Sequence, residues 1–66
     1  MLGELVPVER KGGVTLYGRI IGPNGKLGQY EVHSEHLQYD GNVYGLYADA
    51  KNRFNAVVGV KSSNNH

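Results

Sequence analysis

The side chains best suited to chemistry stand within six positions of one another: Glu31, His33, Ser34, Glu35 and His36. Neutral imidazole and carboxylate are zinc ligands, and a zinc site needs three or four of them converging in a tetrahedral cage. On a regular strand, residues three apart point to opposite faces, so His33 and His36 can join Glu35 around a metal only where a bulge turns one of them. Glu31 is a further candidate ligand. Ser34 between His33 and Glu35 has the residue types of a nucleophile, its base and an orienting acid, but adjacent residues do not face one another as that chemistry requires. Glu31 and Glu35 as a paired acid and base meet the same objection. A 66-residue chain has little room for a pocket that excludes water. A metal or active site at His33, Glu35 and His36 would therefore have to be built at a subunit interface. The plainer expectation is a set of solvated residues at a sheet corner, with no catalysis, no metal and no cofactor.

A second constellation is aromatic. Tyr17, Arg19, Glu31 and His33 share the outer side of one expected hairpin, and Val43 and Tyr47 are expected to point the same way from another. Five Tyr with one Phe and no Trp give flat, amphipathic contact area, and Tyr and Arg are enriched where proteins meet. These six residues are the expected binding surface. Two partners compete for it. Tyr17 and Arg19 suit the stacking of single-stranded DNA or RNA, with Lys26, Lys51 and Arg53 following phosphates. Equally, Tyr17, Val43, Tyr47 and Val57 suit a protein partner or a second copy of the chain. The formal net charge of +1 favours protein, because phosphate contacts need surplus Lys and Arg. The expected function is a non-catalytic interaction module, self-associating or docked on a larger protein.

The segment Ile20-Ile21-Gly22-Pro23-Asn24-Gly25-Lys26 resembles the loop of KH domains, which joins two helices and clamps a nucleic-acid backbone. Here Leu27 to Val32 alternates as a strand and contains Gly28, so the segment is read as a hairpin turn.

The elements that must position these residues follow from periodicity. Apolar residues recur at a spacing of two: Val14, Leu16 and Ile20; Tyr30 and Val32; Phe54, Ala56, Val58 and Val60. Turn residues punctuate the runs at Gly12-Gly13, Pro23-Asn24-Gly25, Asp40-Gly41 and from Asp49 to Arg53. A three-residue loop at Pro23-Asn24-Gly25 pairs Leu16 with Val32, Gly18 with Tyr30 and Ile20 with Gly28, which makes the inner face apolar throughout. Asp40-Gly41 in a type I′ turn pairs Leu37 with Tyr44, and Phe54, Ala56 and Val58 return along that hairpin. Inner Val32 and inner Leu37 lie an odd number of positions apart, so the chain is expected to bulge between them at a barrel corner. Pro7 marks the first strand as an edge or closing strand.

The predicted fold is all-β, with five or six short antiparallel strands in a meander curled into a small SH3-like or OB-like barrel or a strongly bent sheet. A single domain over residues 1–61 with a mobile tail over 62–66 is expected. No Cys is present and no run is long and apolar enough for a membrane span, so a cytoplasmic protein is expected.

Overall fold

The computed structural model describes residues 2–63, the last four by their backbone alone. Three strands, β1 (Leu5–Lys11), β2 (Val14–Ile20) and β3 (Leu27–Ser34), are followed by one helix, α1 (Tyr47–Ser63). The strands form an open antiparallel sheet in the order β1-β2-β3, and α1 packs across one face of it. The expected five- or six-stranded barrel is therefore replaced by an α+β arrangement with an uncovered sheet face.

The first hairpin turns on Gly12 and Gly13, both at positive φ (58° and 80°), the geometry of a two-residue turn between Lys11 and Val14. Farther along β1 the register shifts between Pro7 and Glu9, so Val8 bulges out and Glu9 comes opposite Leu16. Pro7 stands on an edge strand, where its missing N–H costs the sheet least.

The second hairpin keeps the expected register at its far end and loses it near its turn. Leu16 pairs with Val32 as expected, but Ile20 pairs with Leu27 rather than with Gly28. Ile21 N–H donates to Lys26 O at 2.8 Å, and Gly25 N–H donates to Gly22 O at 3.2 Å, which makes the loop four residues long, Gly22 to Gly25. The offset is absorbed at Gln29, whose φ of 51° places one extra residue opposite Gly18. Gly18 leaves room there: a Cβ would stand 3.2 Å from the Tyr30 ring and 3.1 Å from Leu27 Cδ1, so both side chains would have to give way by a few tenths of an ångström.

The core is small. Val14 and Leu16 of β2, Val32 of β3, and Ala50, Phe54 and Val57 of α1 are buried, with Tyr30, Tyr44 and Val58 packed at the margin. Burying each larger side chain contributes about 1.5–3 kcal/mol.

The helix corrects the second half of the sequence reading. Ala50, Phe54, Val57 and Val58 recur at i, i+4, i+7 and i+8, a helical stripe that the period-two reading of Phe54, Ala56, Val58 and Val60 obscured. Ala56 is exposed, and the residues from Asp49 to Arg53, taken as a loop, form the first turns of α1. No hairpin forms at Asp40-Gly41. Instead Asp40 Oδ1 accepts from Asn42 N–H at 2.9 Å in a local turn, and Gly41 takes a φ of 81°. Leu37, expected inside, is 47 % exposed. Among the described residues of that hairpin Tyr44 pairs with the sheet through its backbone, exchanging two hydrogen bonds with Tyr30 (2.7 and 2.8 Å). The bulge expected between Val32 and Leu37 is absent as a barrel corner: β3 runs straight to Ser34, and Glu35 N–H then donates to Gly13 O at 3.0 Å as the chain leaves the sheet. The expected tail overlaps the last two helical residues, and the rest of it lies outside the described residues.

Candidate functional site

Alternation along β2 and β3 sends Thr15, Tyr17, Arg19, Glu31 and His33 to the face opposite α1. Tyr17 is the direct partner of Glu31, and Thr15 of His33. Arg19 is opposite Gly28, which has no side chain to meet it, so its guanidinium reaches along the strand instead. Arg19 Nη2 donates to Glu31 Oε2 at 3.0 Å, while Nη1 donates to the backbone O of Gly3. The second Glu31 oxygen is 2.9 Å from His33 Nε2.

Glu31 is the one buried charged residue among those described, 7 % exposed. A buried carboxylate needs partners for both oxygens, and here it has them. The His33 hydrogen bond, aided by Arg19 and opposed by burial, holds the Glu31 carboxyl below the ordinary carboxylate value.

The aromatic rings are arranged around this pair. Tyr17 meets His33 edge to face at 5.2 Å between centroids, and Tyr39 stacks on His33 at 4.1 Å and 18°. Tyr39 O–H donates to Asn42 O at 2.7 Å, which ties this ring to the turn that follows it. Burial, with the negative charges of Glu31 and Asp40, raises the Tyr39 hydroxyl above its usual value. At the end of the face, Arg10, Thr15, Tyr17, His33, Ser34 and Glu35 line a shallow open groove, with Arg10 and Glu35 paired at 3.4 Å.

Four of the six residues expected to bind, Tyr17, Arg19, Glu31 and His33, thus stand together. Val43 and Tyr47 do not join them. Val43 is exposed in the irregular segment before α1. Tyr47 opens α1 on the covered side of the sheet, where its ring meets Tyr30 edge to face at 5.8 Å and its hydroxyl donates to Glu9. Val57, which the sequence reading offered to a partner, is in the core. Tyr39 was missed because the sequence points it to the inner face of a hairpin with Leu37; it lies instead in the irregular segment after β3, which brings its ring onto His33.

The metal candidates do not converge on one point. His33 is turned to Glu31, Glu35 reaches Arg10, and His36 lies over Gly13, where a Cβ would come within 3.2 Å of its Nε2 and 2.7 Å of Glu35 Oε2. Among the described residues no three His, Cys, Asp or Glu side chains are grouped to hold a metal ion. The basic residues assigned to phosphates are also scattered. Lys51 pairs with Glu9 and lies 4.9 Å from the Phe54 ring centroid, and Arg53 pairs with Asp40 at 3.3 Å. Both belong to α1, on the other side of the sheet from Tyr17.

Compared with protein-family models, curated proteins and solved structures, the chain matches none. No helix among the described residues is long and apolar enough to cross a membrane.

Proposed function

We propose that this chain is a non-catalytic interaction module that dimerises through the open face of its sheet. The observation that carries the reading is the aromatic run Tyr17, His33 and Tyr39, held by the Arg19–Glu31–His33 network on a face that no helix covers. Side chains already fixed in place lose little freedom on binding, which favours association. The face also carries both signs of exposed charge at one end, Arg10 against Glu35, which lets the patch meet a copy of itself without like-charge repulsion. The sheet edge at β1 is a poorer route, since Pro7 and the Val8 bulge interrupt the backbone groups that a further strand would use. Three strands about 4.8 Å apart and seven residues long give a face of roughly 15 by 24 Å. An area of that size places the dimer among weak, concentration-dependent contacts.

Catalysis finds no support in the geometry around Ser34: its Oγ accepts from His36 N–H at 3.0 Å, and the His33 ring is turned away to Glu31. The dispersal of Lys51 and Arg53 likewise favours protein over nucleic acid. A chain without Cys suits a reducing compartment, and we place it in the cytoplasm.

Sedimentation equilibrium over a concentration series tests the reading. Wild type is expected to shift from monomer to dimer, and Tyr17→Ala to weaken the dimer about tenfold or more, as loss of a central aromatic does. A wild type that stays monomeric at millimolar concentration overturns the proposal. Salt-sensitive amide shifts at Tyr17 and His33 on adding a random single-stranded oligonucleotide would replace it with the nucleic-acid reading.

A further inference from the structure

Asn24 and Gly25 form the tip of the β2–β3 loop, and both are exposed. Gly25 sits at a φ of 78° with open space where a side chain would be, so nothing hinders its backbone nitrogen from that side. That nitrogen donates to Gly22 O at 3.2 Å, the long end of the normal range. Exposed turn tips of this kind open readily.

We propose that Asn24 is a site of spontaneous deamidation that alters both the charge of the chain and the backbone of its register-setting turn. The Gly25 amide nitrogen loses its proton and attacks Asn24 Cγ. An N–Cγ bond forms, the Cγ–Nδ2 bond breaks, and ammonia leaves with the proton, giving a five-membered succinimide. One water then opens the ring. Cleavage at Cγ leaves aspartate, and cleavage at the former backbone carbonyl leaves isoaspartate, whose main chain is longer by one methylene. No oxidant or other reactant is needed.

The other glycine-following acidic site behaves differently. Asp40 precedes Gly41, and ring closure there needs a neutral carboxyl free to turn toward the Gly41 nitrogen. Its carboxylate instead accepts from Asn42 N–H and Asn42 Nδ2 and pairs with Arg53, and the backbone hydrogen bond from Asn42 leads in holding it below its ordinary value. The tertiary structure thus protects one of two chemically similar dipeptides and leaves the other open.

Two consequences follow at Asn24. The formal net charge falls by one from +1 to zero, the condition in which proteins associate most readily. An isoaspartate also lengthens the four-residue loop whose offset from the rest of the hairpin is taken up at Gln29.

The test is to age the purified full chain at mildly alkaline pH in 18O-water and map its peptides by mass spectrometry. Asn24 is expected to convert several-fold faster than Asn42, Asn52 and Asn55, to carry 18O, and to yield isoaspartate in excess of aspartate. Amide signals of Ile20, Ile21, Lys26 and Gly28 are expected to shift in the isoaspartate form. The variant Asn24→Ser should keep the hairpin and lose the fast product. Conversion at Asn24 no faster than at Asn42, Asn52 and Asn55 overturns the proposal, as does faster isomerisation at Asp40.

Discussion

Glu31 shows how one residue organises a face. Its carboxylate can stay buried because Arg19 and His33 satisfy both oxygens, and the His33 bond holds the ring against which Tyr17 sets its edge. Replacing one carboxylate oxygen by an amide removes the charge that Arg19 meets, and the amide nitrogen suits His33 Nε2 only where that nitrogen carries no proton. Glu31→Gln is expected to cost about 1–3 kcal/mol in urea unfolding, and to broaden the His33 and Tyr39 ring signals by NMR. An unchanged urea midpoint with unchanged ring signals would mean that the network organises nothing. Gln29 is the opposite case, a residue whose backbone rather than side chain carries the role. At a φ of 51° it holds a left-handed conformation that costs an L-residue about 1–2 kcal/mol, partly offset by the greater freedom that glycine loses on folding. Gln29→Gly should therefore stabilise by about 0.5–1 kcal/mol. A loss of stability instead would show that the Gln29 side chain supports the bulge.

Among the elements, α1 decides the architecture. A strand reading of its second half puts Ala56 inside and Val57 outside, whereas the helix buries Val57 and exposes Ala56. Two lysine substitutions separate these arrangements. Ala56→Lys should change stability by no more than about 0.5 kcal/mol, while Val57→Lys should remove more than about 3 kcal/mol and with it cooperative unfolding. Circular dichroism checks both, and the reverse order would refute the helix. The helix also has its own tie to β1. The Val8 bulge turns Glu9 toward the covered face, where Tyr47 O–H and Lys51 Nζ both donate to its carboxylate. A bulge in the edge strand thus both interrupts that edge and anchors the first turn of the helix.

For the molecule as a whole, ion pairs join elements that the small core holds only in part. Glu9 links β1 to α1, Glu31 links β3 to β2, and Asp40 links the irregular segment to α1. All three carboxyls are held below their ordinary values, Glu9 chiefly by its hydrogen bond from Lys51. Their contribution is fully present above the unfolded carboxylate values, 4.5 for Glu and 3.8 for Asp, and is lost as pH falls through the lower folded values. Lys51 and Tyr47 are raised above 10.5 and 10.0 by the same Glu9, so their share is present below those values and lost as pH rises through the higher folded ones. Chemical-denaturation midpoints should therefore form a plateau between these limits and fall on both sides. Constant midpoints from neutral pH down to below the carboxylate range would exclude the three carboxylates as ties between elements. The pairs of Glu9 and Asp40 are partly open to solvent, so added salt should lower the plateau slightly. The sequence by itself determined the turn at Gly12-Gly13, the pairing of Leu16 with Val32 and the grouping of Tyr17, Arg19, Glu31 and His33, because period-two alternation and glycine turns are local signals, but not the four-residue loop or the bulge at Gln29. It did not determine the state of the residues after Ser34. Ala50, Phe54, Val57 and Val58 satisfy a helical stripe, while Phe54, Ala56 and Val58 satisfy a strand, and local pattern cannot choose between them. Tertiary structure made that choice, because one apolar sheet face offered a surface that a helical stripe covers with a single element. The same choice left the other face open, sent Tyr47 to Glu9, and brought Tyr39 onto His33.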